Sequence, residues 1–195
     1  MTPAVFLDRD GTMVHDVGYL AHLPDLRWFP WTVDAIRALN RAGLLVFVTT
    51  NQGGIGLGHT TERFVLEAHA EMHRFLESQG AHVDGWFFCP HHPRAVAPEL
   101  RVECDCRKPK PGMIRQAVAR FDIDLPRSFV VGDKLSDVGL AQAVGAGPIL
   151  VRTGYGEGVL RGLGDEPPAG VHVAADLSAA VSWILLQIGP RPEPA

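Results

Sequence analysis

Cysteine is scarce in this chain: three among 195 residues, at positions 89, 104 and 106. That clustering excludes a disulfide frame, which spreads its cysteines as pairs, and their closeness to His91 suits a metal site in a reducing compartment. Also lacking is any apolar run near the ~20 residues of a membrane span. The segment MTPAVFLDRDGT puts acidic residues straight after a five-residue apolar stretch, so no signal-peptide core is read there. The expected location is the cytoplasm. Positive charge is not in excess: a formal net charge of -4 gives no basic footprint for wrapping nucleic acid. With 46% hydrophobic and 21% charged residues the composition is that of a globular protein, and the length suffices for one core without a large cap domain.

What is present is alternation. Short apolar runs at 4–7 (AVFL), 44–48 (LLVFV), 129–131 (FVV) and 148–151 (PILV) alternate with segments of helical period. This is the βαβ pattern of a parallel sheet with helices on both faces. Thr32 is placed to cap a helix carrying Val33, Ile36 and Leu39, with Gly43 as its stop. A second helix is expected from about Thr61 to Gln79, with Val65, Ala68, Met72 and Phe75 inward. Pro111 opens a third, with Ile114, Ala117, Val118 and Phe121 as its buried stripe. A fourth covers 136–144, and a last one from Asp176 turns Leu177, Ala180, Val181, Ile184, Leu185 and Ile188 inward. Residues 1–190 read as one domain and 191–195 as a flexible tail.

From Cys89 to Pro111 inclusive neither period holds, and five prolines occur. A structureless loop of this length needs something to hold it. Cys89 and His91, then Cys104 and Cys106 after twelve intervening residues, offer four ligands as CxH and CxC pairs, which fits a closed tetrahedral zinc site over 89–106. The alternative is three small buried hydrophobes. A polar, proline-rich loop offers no core in which to bury them. His91 is preferred to His92 because it gives the tighter paired spacing. Cys106 immediately precedes Arg107 and Lys108, so a structural zinc would fix those cations as well.

Two acidic pairs follow buried strands. In FLDRDGT, Asp8 leaves the first strand and Asp10 follows at i+2, so both carboxylates converge on the carboxyl edge of the sheet, where open α/β sheets bind ligands. By itself such a pair more often turns and caps the chain. A second pair, Asp133 and Asp137 in VVGDKLSD, shifts the balance, because four carboxylates at one edge repel one another and call for a hard cation such as Mg²⁺. Phosphate donors are at hand in Thr50, Asn51, Gln52 and the glycines after them, and in Arg107, Lys108 and Lys110 before a proline-started helix.

These residues resemble the four motifs of the haloacid dehalogenase (HAD) phosphatase superfamily: DxD as Asp8 and Asp10, a strand-end Thr as Thr50, Lys108, and GDxxxD as Gly132, Asp133 and Asp137. The resemblance implies a Rossmann-like fold in which Asp8 attacks phosphorus and Asp10 serves as acid and then base. It implies Mg²⁺ held by Asp8, the main-chain carbonyl of Asp10 and Asp133, with Asp137 supporting from behind, and Thr50 and Lys108 on the transferring phosphoryl oxygens. FLDRDGT, DVGY, TNQ, CPHHP, CDCRKPKPGM and GDK, in this order, are similar to the heptose-bisphosphate and histidinol-phosphate phosphatase branch, which carries such a zinc loop. That branch implies removal of the C7 phosphate of a heptose bisphosphate on the way to a nucleotide-activated heptose, with histidinol phosphate as the second candidate. Carried over by position, Asp16, Val17, Gly18, Tyr19, Thr50, Asn51, Gln52, Gly53, Arg107, Lys108 and Lys134 would contact substrate. The chain departs from the pattern where Gly53 replaces an expected Ser and where GIGLG lacks an Arg. The expected partner is a small phosphorylated sugar taken by a monomer, with no stable nucleic-acid partner and no membrane. A zinc-loop protein that binds phosphorylated ligands without turnover is the reading from another class; retention of both Asp8 and Asp10 speaks against it.

Overall fold

A computed structural model of the chain describes residues 1–188. Six strands form one parallel sheet: β1 (Ala4–Leu7), β2 (Leu45–Asn51), β3 (Gly85–Cys89), β4 (Phe129–Gly132), β5 (Gly147–Val151) and β6 (His172–Ala174), in the spatial order β3-β2-β1-β4-β5-β6. Among the described residues five helices join them, α1 (Thr32–Arg41), α2 (Glu62–Ser78), α3 (Gly112–Val118), α4 (Leu135–Val144) and α5 (Gly156–Gly162), and α6 (Leu177–Ile188) follows the last strand. The chain leaves β1 toward β2 and β3 on one side and reaches β4, β5 and β6 on the other. The β1/β4 boundary is therefore the topological switch point.

Every residue of β1 is buried because both faces of the sheet are covered. Val5 and Leu7 pack with Val46, Val48 and Val131 against Ile36 and Leu39 of α1 and Leu177, Ala180, Val181 and Ile184 of α6. Ala4 and Phe6 point the other way, onto Met113, Ile114 and Ala117 of α3 and Leu140 and Ala141 of α4. A polar residue in β1 would thus lose its hydrogen bonds on either face. The chain therefore meets no carboxylate until Asp8, where the strand ends.

The Rossmann-like parallel sheet, the helices on both faces and the Gly stops agree with the sequence pattern; Gly43, Gly80 and Gly145 all take left-handed backbone after their helices. Several local expectations change. Thr32 is the first helical residue, and its hydroxyl donates to the Met13 carbonyl at 2.7 Å, so it ties α1 to the loop after β1 and does not cap. The cap of α2 is Thr61, accepting from the Phe64 N–H at 3.1 Å. Phe75 and Val118 are exposed, not inward; Phe75 is met by Trp28 with ring centroids 5.0 Å apart, outside the sheet packing. Leu185 and Ile188 are only half-buried. Strand β3 was hidden in the aromatic run before Cys89, and β6 and α5 are too short to show a period. Residues 189–195, where the sequence suggests the end of the domain and a polar tail, lie outside the described residues.

Candidate active site

The carboxyl edge at the switch point gathers the acidic pairs. Asp8, Asp133 and Asp137 are all buried and offer ligand oxygens within 4.8 Å of one another. Two ammonium groups face them. Lys108 Nζ lies 2.9 Å from Asp8 Oδ1 and 2.6 Å from Asp137 Oδ1, and donates to the Thr49 carbonyl at 2.8 Å. Lys134 Nζ reaches Asp133 Oδ1 at 3.0 Å and Asp16 Oδ2 at 3.3 Å.

Burial works to raise the Asp8 pKa, and Lys108 and Lys134 overcome it, holding Asp8 below the ordinary carboxylate range. Burial dominates at the other two, raising Asp133 to about 6 and Asp137 to about 7. Lys108 stays charged: burial disfavours the cation, but Asp137 and Asp8 more than offset it. Three buried carboxylates against two ammonium groups leave negative charge unbalanced in a low-dielectric site. A hard divalent cation with oxygen ligands fits that imbalance. The chain also closes tightly there, since a Cβ at Gly11 or Gly154 would overlap Asp133 Oδ2.

Asp8 is held from one side. Its Oδ1 accepts the Arg9 N–H at 2.8 Å and pairs with Lys108, while the strand pairing continues through the Asp8 N–H to the Val131 carbonyl at 2.9 Å. Among the described residues no protein donor reaches Oδ2. Asp10 is oriented differently: its carboxylate takes Arg9 Nη2 at 2.8 Å and Gln52 Nε2 at 2.9 Å. Arg9, 1% exposed, also donates to Gln52 Oε1 at 3.0 Å and reaches His69 Nε2 at 3.3 Å. Burial and then the Arg9 charge push His69 down to about 3, so it meets Arg9 as a neutral acceptor.

A cleft of about 400 Å³ opens over these groups, lined by Asp8, Asp10, Asp16, Gly18, Tyr19, Thr50, Asn51, Gln52, Gly54, Arg107, Lys108, Lys134, Ser136 and Tyr155. Of the candidate substrate contacts, Val17 and Gly53 do not line it. Asn51 spends its side chain on the Lys108 main chain, accepting its N–H at 3.0 Å and donating to its carbonyl at 3.3 Å. Gln52 links Asp10 to Thr50, donating to the Thr50 hydroxyl at 2.8 Å. The space where a Ser side chain would begin at Gly53 is bounded by His92 and Arg107, a Cβ there lying 3.0 Å from the His92 ring and 3.3 Å from Arg107 Nη1. Arg9, Ser136 and Tyr155 were not among the candidate site residues. Arg9 sat between two acids as an apparently free position, and Tyr155 follows β5 in a glycine-flanked turn with no phosphate motif.

The loop after β3 brings Cys89, His91, Cys104 and Cys106 together, ligand atoms within 4.8 Å of one another. Cys89 Sγ is 3.6 Å from Cys104 Sγ and 3.1 Å from Cys106 Sγ, and His91 Nδ1 is 3.3 Å from Cys106 Sγ. Zn–S bonds of about 2.3 Å at tetrahedral angles set S···S near about 3.8 Å, so the four groups close on a zinc ion with small adjustment. His92 turns away; its Nδ1 accepts the Arg94 N–H at 3.1 Å. Arg107 Nη1 donates to the His91 carbonyl at 2.8 Å, a direct link from the Cys/His cluster to the cleft.

Comparison with known proteins agrees with this architecture. A family model described as HAD-hydrolase-like matches residues 105–180. The chain is 38% identical over 192 residues to D-glycero-beta-D-manno-heptose-1,7-bisphosphate 7-phosphatase of Yersinia pestis, covering 98% of this chain and 94% of that one. It is 40% identical over 177 residues to the Escherichia coli K12 protein of the same name, covering 86% and 93%. The D,D-heptose 1,7-bisphosphate phosphatase of B. bronchiseptica, solved with magnesium and phosphate, superposes with a TM-score of 0.83 at 34% identity, covering 96% of this chain and all of that one. The Burkholderia thailandensis protein named D,D-heptose 1,7-bisphosphate phosphatase gives 0.67 at 33% identity, covering 93% and 97%. With a carboxylate cluster at the switch point, a lysine buried against it and relatives matched along nearly the full length, this chain belongs to the HAD-like heptose-1,7-bisphosphate 7-phosphatase family and is a phosphatase.

Proposed function

We propose that this phosphatase removes the C7 phosphate of D-glycero-D-manno-heptose 1,7-bisphosphate through an aspartyl phosphate on Asp8. The observation that carries the reading is the setting of Asp8: one oxygen clamped by Lys108 and the Arg9 N–H, the other, among the described residues, free of protein donors beneath an open, cation-lined cleft. Asp8 attacks phosphorus as the bond to the sugar oxygen breaks, and Asp10 gives its proton to that oxygen. Asp10 then takes a proton from water, which attacks the aspartyl phosphate and frees inorganic phosphate and Asp8. The Thr50 hydroxyl and the Lys108 ammonium meet the charge on the phosphoryl oxygens. Arg107, a planar fork tied to the His91 carbonyl, suits the phosphate that stays. Asp8, the Asp10 carbonyl and Asp133, with Asp137 behind, would hold Mg²⁺, which would supply charge neutralisation for the approach of an anionic nucleophile to a phosphate.

The same reading takes residues 1–190 as one catalytic domain, working as a cytoplasmic monomer without a nucleic-acid partner. Among the described residues no helix is long and apolar enough to cross a membrane. A phosphate-release panel with Mg²⁺ tests the substrate: α- and β-heptose 1,7-bisphosphate are expected to exceed histidinol phosphate by a wide margin in kcat/KM. Preference for histidinol phosphate by orders of magnitude would overturn the heptose reading, and binding without release would favour a non-catalytic role.

The zinc loop gives a second expectation. Purified protein should carry about one zinc per chain, and Cys104→Ser or a strong chelator should release it. Losing the brace frees Arg107 and Lys108, and misplacement of such groups by about 1 Å costs on the order of 10²-fold in activity. Full activity at near-zero zinc content would contradict a bracing role.

A further inference from the structure

The turn after β5 packs against the carboxylate cluster in a way that the proposed mechanism does not use. Tyr155 stands between two glycines that cannot carry a side chain. A Cβ at Gly154, where φ is +57°, would overlap Asp133 Oδ2, and one at Gly156 would overlap the Val151 carbonyl. The turn is also pinned by the Thr153 hydroxyl, which donates to the Gly11 carbonyl at 2.6 Å, and by the Tyr155 N–H, which donates to Asp133 Oδ2 at 2.8 Å. These contacts fix the Tyr155 backbone and with it the direction of its Cα–Cβ bond.

That side chain is 55% exposed, a large aromatic kept at the surface where no packing demands it. Its ring lies 4.6 Å from Lys134 Nζ, within the range of a cation–π contact. The ring meets the ammonium beside its contacts with Asp133 and Asp16, a third hold on the long stem of Lys134. Tyr155 and Asp16 also line both the 400 Å³ cleft and a neighbouring hollow of about 340 Å³. Tyr155 thus stands, with Asp16, at the border of the two.

We propose that Tyr155 is a specificity-determining positioning residue: its ring holds Lys134 in the cleft for the phosphorylated sugar and closes the cleft toward the neighbouring hollow. The inference rests on the proposed substrate. Removing the ring loosens Lys134 and joins the two spaces, which weakens selection for the sugar and admits bulkier groups. Tyr155→Phe keeps both functions of the ring. Because the side chain is exposed, neither variant disturbs the core.

The experiment is steady-state kinetics on the Mg²⁺-loaded protein with heptose 1,7-bisphosphate and with 1-naphthyl phosphate. Tyr155→Ala should raise KM for the heptose bisphosphate about three- to fivefold at little-changed kcat. The ratio of kcat/KM between the two substrates should fall by at least as much, and Tyr155→Phe should restore both. In a Lys134→Met background, the further change to Ala at 155 should no longer move KM for the heptose bisphosphate. An unchanged KM and ratio in Tyr155→Ala, or a KM effect that survives Lys134→Met, would overturn the inference while leaving the substrate reading intact. A native protein that fails to turn over the heptose bisphosphate overturns both.

Discussion

Asp8→Asn is expected to lower phosphate release by on the order of 10⁴-fold or more while the folded protein survives intact. The amide is nearly isosteric with the carboxylate but is no nucleophile toward phosphorus, and losses of this size are typical when a covalent catalyst is removed. Stability should fall modestly at neutral pH. Lys108 and Lys134 hold the Asp8 pKa below its ordinary value, so the charged carboxylate contributes stability that the amide loses, while relief of repulsion on Asp133 and Asp137 offsets part of that loss and Lys108 keeps Asp137 as its ion-pair partner. Thermal unfolding should therefore occur somewhat below the native temperature, with the variant still folded. Residual activity above about one per cent of native, in protein free of contaminating phosphatase, would move the nucleophile elsewhere.

Lys108→Met should damage both activity and stability. The lysine side chain is 2% exposed and bridges two buried carboxylates. Deleting one partner of a buried ion pair typically costs about 3–5 kcal/mol, because the remaining charge stays desolvated. In activity, loss of a preorganised charge on the transferring phosphoryl group costs about 10²–10³-fold. The stability loss should depend on pH with a definite sign. Asp137 already sits near 7 in the folded chain, above its unfolded value, so its contribution is fully present at low pH and is lost as pH rises through that value. Removing Lys108 pushes Asp137 further the same way. The variant should then be closest to native in mildly acidic, Mg²⁺-free buffer and fall behind as pH increases. Chemical denaturation at pH 5.5 and pH 8 checks this; equal destabilisation at both would mean that Asp137 does not take up the missing charge.

Both substitutions concern residues that local sequence could point to. Strand β1 and strand β4 are short runs with no polar residue, so the first acids after them are placed at the sheet edge by the requirement that both strand faces stay dry. Cys89, His91, Cys104 and Cys106 were legible for a similar reason: a proline-rich loop has no core to bury thiols, and their paired spacing leaves few other uses. Helices α1, α2 and α6, and α4 from the residues between β4 and its glycine stop, were legible within a few residues at their ends. Strand β3 was not, because three aromatic residues beside a Cys-Pro step have no alternation, and its status as a strand comes from pairing with β2.

The sequence by itself therefore determined four of the six strands, the carboxyl edge they share and the two donor sets, since each depends on residues close together along the chain and on the burial of apolar runs. Only the tertiary structure decided how those groups are held. Arg9 meets His69 sixty residues away, Arg107 finds the carbonyl of His91, Asn51 binds the main chain of Lys108, and Tyr155 lies against Lys134. The physical reason is common to all four. Their partners are main-chain groups, neutral rings or distant side chains, which leave no pattern in local spacing and become neighbours only when parallel strands bring their carboxyl ends to one edge.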